Sequence, residues 1–341
     1  MHTLSIPHQR LRGMLRTAMG EGLAAALADP AVFEILVNPD GAVRFDRAGE
    51  GRVLSEVVLP SADAERIIRL VASHVRTELH PDAPIVSAEL PMAANGTGGE
   101  RFEGLLPPVA RGPCFSIRKP AYRLFDLNDY VSSGVMTQSQ AGVLRRAVVE
   151  RRNILVVGGT SSGKTTLTNA LLAEVATRGD RVVLIEDTRE LRCAAEDVVE
   201  LRTRPGHVTM GDLVRSTLRL RPDRIIVGEV RGAEALDLLK AWNTGHPGGI
   251  ATLHANSAKG ALFRLEQLIQ EAVVHVPAAL IAEAVDLIVF IRGADPLSGA
   301  PRHVADIAGV EGLDDRGGYV LRPMLTHGED PGTAHSTLME T

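Results

Sequence analysis

Hydrophobic and polar positions along this chain follow two rhythms. In the first third, short apolar runs are broken by turn residues. Phe33–Asn38 and Val43–Asp46 flank Pro39-Asp40-Gly41, which predicts a hairpin. Ile67, Ile68, Val71 and Val75 recur at helical spacing within Ala64–Val75, and Pro81 and Pro84 follow. Strands are expected at Pro84–Leu90, Arg101–Leu106 and Cys114–Arg118, with Asn95–Gly99 as a turn between the first two. Residues 1–120 therefore read as a small α+β domain. Within it Leu4, Leu11, Met14, Leu15, Met19 and Leu23 fall roughly on one helical face, in a stretch that also carries Arg10, Arg12 and Arg16. That pattern suits a helical extension over the first ~30 residues, packed on its own domain or lying as a basic amphipathic helix on a membrane surface.

Lys119–Met136 holds a proline and few periodic apolar positions, and residues 121–136 are assigned to a linker. Beyond it, continuous apolar runs alternate with helical ones. Strands are predicted at Ile154–Val157, Val182–Ile185, Arg224–Val227, Gly249–Leu253 and Leu287–Ile291. Helices are predicted at Gln138–Arg151, Lys164–Ala176, Gly211–Leu220, Ala233–Asn243, Ala258–Glu271 and Ala278–Ala284. A mainly parallel sheet with helices on both faces satisfies this alternation over residues 137–323, and ligands of such sheets bind at the carboxyl ends of the strands. Residues 324–341 are rich in Gly, Thr and Ser, and a disordered tail is expected there.

Composition narrows the class. At 341 residues, 45% apolar and 23% charged, the chain has the balance of a globular protein with room for two domains. A net charge of −5 and few aromatic residues argue against direct nucleic-acid binding. Cys114 and Cys193 make neither a disulfide framework nor a zinc site, which points to a reducing, cytoplasmic compartment. The most apolar stretch, Ala278–Ile291, is interrupted by Glu283 and Asp286, so no integral membrane segment is expected.

The chemistry is concentrated after residue 157. Gly158, Gly159, Thr160, Ser161, Ser162, Gly163, Lys164 and Thr165 spell a complete phosphate-binding loop between a strand and a helix, with Thr166 next in the helix. Its glycines let successive N–H groups face phosphate oxygens, Lys164 reaches the β/γ-phosphates and Thr165 holds Mg²⁺. ATP and Mg²⁺ are the expected ligands. Glu229 ends an apolar strand, placed to polarise a water and to reach Mg²⁺ through its water shell. Glu186, Asp187 and Glu190 form a second acidic group, and either group could activate the water. His246 and His254 bracket another strand, where a histidine near the γ-phosphate could sense it.

Four signatures in this order resemble the secretion ATPase superfamily of type II and type IV secretion, pili and conjugation. They are the Walker A loop Gly158–Thr165, the Asp box Glu186–Glu190, the Walker B stretch Arg224–Glu229 with Arg231 after it, and the His box Thr244–Ala258. Segments Gly158–Glu174, Leu218–Asp223, Gly228–Trp242, Arg101–Val109 and Phe115–Lys119 are similar to its conjugation branch. The cysteine-rich zinc insert of type II motors is absent, and Thr188 replaces a proline frequent in the Asp box. The resemblance implies an N-terminal domain joined to a RecA-like ATPase domain, assembled as a hexamer with ATP at the domain boundary. It implies that Arg101, Arg118 and Arg231 serve the nucleotide and that His254 and the Asp box assist Glu229. Its partners would be inner-membrane components of a conjugation or type IV secretion system, with the ATPase peripheral to that membrane. The rival expectations are a pilus assembly or retraction ATPase and a non-hydrolysing nucleotide switch.

Overall fold

The computed structural model describes residues 6–47, 49–91, 99–119, 124–204, 206–295 and 298–326. It divides into two compact units, Met1–Tyr122 and Arg123–Thr341.

The first unit runs α1 (Ile6–Ala28), β1 (Val32–Val37), β2 (Ala42–Arg47), β3 (Gly51–Val58), α2 (Ser61–His74), β4 (Ile85–Glu89), β5 (Arg101–Leu105) and β6 (Cys114–Arg118). Its antiparallel sheet has the order β3-β2-β1-β6-β5-β4. The predicted β1–β2 hairpin closes through Gly41 at φ +81°, a backbone conformation that favours glycine. Leu15, Met19 and Leu23 of α1 and Ile67, Ile68 and Val71 of α2 enter one core with Ile35, Phe102 and Ile117 of the sheet. The first helix is thus packed on its own unit, the first of the two arrangements expected. Lys119 secures its end, donating from Nζ to the Asp29 carbonyl at 2.6 Å. Leu4 and the expected turn residues Asn95–Gly98 lie outside the described residues.

The second unit runs α3 (Leu127–Ser132), α4 (Gln138–Val149), β7 (Ile154–Gly158), α5 (Lys164–Ala176), β8 (Val182–Glu186), β9 (Val198–Arg202), α6 (Met210–Thr217), β10 (Arg224–Val230), α7 (Glu234–Asn243), β11 (Ile250–His254), α8 (Ala258–Gln270), α9 (Ala278–Ala284), β12 (Leu287–Arg292), β13 (His303–Leu313) and β14 (Tyr319–Thr326). Strand order is β14-β13-β12-β7-β11-β10-β8-β9. The six strands from β12 to β9 are mutually parallel. β13 and β14 add an antiparallel edge that the sequence pattern did not announce. Helices α3, α4 and α5 cover one face and α6 to α9 the other, as the alternation required.

Two boundaries differ from expectation. The linker assigned to 121–136 contains α3, because Asp126 and Asp129 make a reciprocal capping box and Leu127 and Tyr130 are buried. A helix of six residues is too short to show periodicity. The tail expected from residue 324 begins later, since β14 runs to Thr326, while residues 327–341 lie outside the described residues. Pro323 is tolerated because β14 is an edge strand.

Candidate functional site

β7 is buried along its whole length and delivers the chain into the phosphate loop at the carboxyl edge of the sheet. Gly158 has no room for a side chain: a Cβ there would lie 2.4 Å from the Ile291 carbonyl oxygen. Ser161 and Gly163 adopt left-handed backbone, with φ of +58° and +100°, and this curl is what turns successive amides inward. The Ser162 hydroxyl is buried without a hydrogen-bond partner. Lys164, itself buried, folds back on the loop and donates to the carbonyls of Gly158 at 3.1 Å and Gly159 at 2.9 Å. Thr165 and Thr166 stand in the first turn of α5, both half-buried. A curled nest of amides, an orphan hydroxyl and a buried ammonium turned onto the loop carbonyls fit a polyphosphate, with Thr165 available to its Mg²⁺.

Strand order brings three more groups to this edge. β11 lies between β7 and β10, with His254 opposite Gly158. On its other side β10 carries a bulge: Val227 pairs with Ala251 but Val230 with Leu253, so three steps on one strand match two on the other. Ile225, Val227 and Val230 face the same core, which releases Glu229 from it. His254 Nε2 then lies 2.7 Å from Glu229 Oε1, a buried oxygen that still lacks a well-aligned hydrogen-bond donor. Lys164 Nζ also lies against the His254 ring, 3.3 Å from Nδ1 and 3.5 Å from Nε2. Burial first, and then the Lys164 charge, push the His254 imidazole below its ordinary range, so it is neutral at neutral pH. Arg231 grips the second oxygen of Glu229 in a short ion pair and stands 3.6 Å from Asp187. Asp187, Arg231, Glu229, His254 and Lys164 thus form one chain of contacts across the strand ends.

The other Asp-box carboxylates have different employment. Glu186 is buried at the end of β8 and its Oε1 accepts from the backbone N–H of Glu190 at 2.9 Å and Leu191 at 2.8 Å. Burial pushes its carboxyl up to about 7. Glu190 contributes that N–H and a carbonyl that takes the Asn169 side-chain amide at 3.1 Å. Asn169 was not a sequence candidate; from α5 it ties the Asp-box loop to the phosphate-loop helix, also accepting from Arg192 N at 2.8 Å. Arg302, equally unforeseen, donates to the Ser161 carbonyl at 3.2 Å. Neither belongs to a motif, and a lone Asn or Arg carries no signal.

His246 is not brought to the site. It precedes β11 at the amino edge of the sheet, where Nδ1 lies 3.2 Å from the Ala241 carbonyl, while the phosphate loop follows the carboxyl end of the adjacent parallel strand. The expectation of a catalytic role for His246 beside His254 is therefore corrected: a histidine ahead of a strand and one at its end are separated by the strand's length, roughly 15 Å. Arg101 and Arg118 stand directly opposite each other on β5 and β6 of the first unit.

A family model for type II/IV secretion system proteins matches residues 43–313. The chain is 50% identical over 307 residues to the conjugal transfer protein TrbB of Rhizobium radiobacter, covering 89% of this chain and 92% of that one. It is 35% identical over 318 residues to the type IV secretion system protein PtlH of Bordetella pertussis strain Tohama I, covering 83% and 91%. The solved pilus retraction motor PilT with bound ADP aligns at a TM-score of 0.60 over 88% of this chain and 80% of that one; at 18% identity this is a likeness of fold. The RecA-like reading of the second unit and the resemblance to secretion ATPases both agree with these findings.

Proposed function

The chain belongs to the type II/IV secretion system protein family, and on that premise we propose that it hydrolyses ATP, as a hexamer, to drive a conjugative transfer or type IV secretion apparatus through nucleotide-driven domain motion. The observation that carries this reading is the convergence of Lys164, His254 and Glu229 beside the phosphate loop. Among the described residues no helix is long and apolar enough to cross a membrane. In this reading the chain works in the cytoplasm against inner-membrane components of the apparatus.

Each residue then has a task. The loop amides and Lys164 hold the phosphates. Thr165 would hold Mg²⁺, which would supply charge neutralisation when bound. Glu229 takes a proton from the water that attacks the γ-phosphorus, and the bond to the β–γ bridging oxygen breaks with its electron pair leaving on ADP. For this Glu229 must be released from Arg231, whose guanidinium otherwise neutralises it. Neutral His254 links the carboxylate to Lys164 and so registers whether a phosphate has drawn the ammonium away.

Phosphate release with Mg²⁺-ATP, measured for wild type, Lys164→Ala and Glu229→Gln alongside mass by light scattering, tests the proposal. The expected result is release by wild type as a species of about six chains, lost ATP binding in the first variant, and ATP binding without turnover in the second. Wild type that binds ATP but releases no phosphate in any assembly would leave a nucleotide switch in its place.

A further inference from the structure

Among the described residues, a cation from outside the motifs touches the phosphate loop. Arg302, just before β13, donates from Nη2 to the Ser161 carbonyl at 3.2 Å. Its guanidinium also fills the space beside Gly163, where a Cβ would lie 3.3 Å from Nε. These contacts fall on the left-handed residues Ser161 and Gly163, in the part of the loop whose amides cradle α- and β-phosphates. The arginine is anchored from behind. Val304 donates to the Val135 carbonyl at 2.7 Å and accepts from Gln140 Nε2 at 3.1 Å; Gln140 is fully buried and locked in the capping box of Thr137. Arg302 itself is exposed, so its charge is open to an anion arriving at the loop.

We propose that Arg302 is a nucleotide-binding residue that sets a second positive charge on the α/β-phosphate side of the loop, distinct from the γ-side group of Lys164, His254 and Glu229. This rests on the phosphate-binding reading above. A guanidinium already hydrogen-bonded to a strained loop is held in place before the anion arrives, and it neutralises charge without reorganising. Because the α- and β-phosphates are common to ATP and ADP, its loss weakens both nucleotides alike and raises KM while sparing kcat.

The test is the affinity of fluorescent ATP and ADP analogues, with steady-state kinetics, for wild type, Arg302→Gln, Arg302→Lys and Lys164→Ala. Arg302→Gln keeps a donor for Ser161 but no charge. It is expected to weaken both nucleotides about tenfold, to flatten the salt dependence of ADP binding and to leave kcat within about twofold. Arg302→Lys is expected to stay within about threefold of wild type. A glutamine variant that binds both nucleotides like wild type overturns the proposal, because the hydrogen bond alone then suffices; so does a fall in kcat with ADP affinity unchanged. If Lys164→Ala abolishes binding and Arg302→Gln keeps the wild-type affinity for both nucleotides, only this proposal falls. Folded wild type that binds neither nucleotide removes the phosphate reading as well.

Discussion

The two edges of the eight-stranded sheet carry polar clusters of similar size and opposite character. At the amino edge Arg224 is fully buried, with Nε 2.5 Å from Asp180 Oδ2, Nη2 donating to Val148 O at 2.9 Å and Nη1 to Gly248 O at 3.2 Å. Burial alone would raise the Asp180 carboxyl, but Arg224 and Arg151 hold it below the ordinary range. Asn153 accepts from Gly248 N and Gly249 N, both at 2.9 Å, and donates to Ala284 O at 2.8 Å. Among the described residues every partner there is backbone or a counter-charge of the same cluster, so its polar groups already satisfy one another. At the carboxyl edge Lys164, His254, Glu229, Arg231 and Asp187 satisfy one another only in part, and the His254 and Arg231 side chains are each about half exposed. Buried charge by itself does not mark a site. Charge whose partners a ligand can replace does.

Substitutions sharpen the contrast. The largest effect is expected from Glu229→Gln, which should cut turnover by about 10² to 10⁴-fold, as loss of a general base does, with an unchanged thermal midpoint. Retained turnover would move the water-activating role to Glu186 or Asp187. Asp180→Ala should do the reverse, lowering stability in urea by about 3–5 kcal/mol through a stranded buried arginine. If that variant unfolds like wild type, the amino cluster is not the structural element described here.

Glu186→Gln probes the border between the two regimes. A carboxyl raised from 4.5 to about 7 favours the proton in the folded state. Its stabilising contribution is complete below the ordinary value and is lost as pH rises through about 7. Wild-type stability should therefore carry a downward component of about 1.4 kcal/mol per pH unit across that window. The glutamine still accepts the Glu190 and Leu191 N–H groups, so urea titrations at pH 5 and pH 8 should show a smaller loss for the variant. Equal losses would mean that Glu186 is ionised at little cost. The smallest effect concerns His254: with Lys164→Met, its imidazole should titrate higher, because the largest of the charges holding it down is gone. NMR titration reads this directly, and an unmoved resonance would break the link between loop and histidine.

What the sequence disclosed was whatever lies close together along it. The phosphate loop, its flanking strand and helix, and Glu229 at a strand end are contiguous, and each was legible. The Lys164–His254–Glu229 meeting was expected only through the family resemblance, since it depends on β11 sitting between β7 and β10, a matter of strand order rather than of any local pattern. β3, β9, β13 and β14 escaped for a related reason. β3 and β9 carry charged residues, as at Arg52 and Glu200, and β13 has two glycines and two acids. Their partners, not their composition, make them strands. His246 went astray because residue type was weighed without strand direction, and Arg302 because a single exposed arginine in a loop has no signature.

The bulge in β10 has a consequence of another kind. One surplus residue between Val227 and Val230 sets the phase of everything after it. A change of side chain at Gly228 or Glu229 alters one group, whereas deleting either would shift the reading frame of the strand by half a pleat. Val230 would then be turned from the core on which it packs and its neighbour driven in. For folding, the short segment Gly228–Glu229 is thus more sensitive to a change in length than to a change of side chain, and homologues that keep this site should keep its residue spacing.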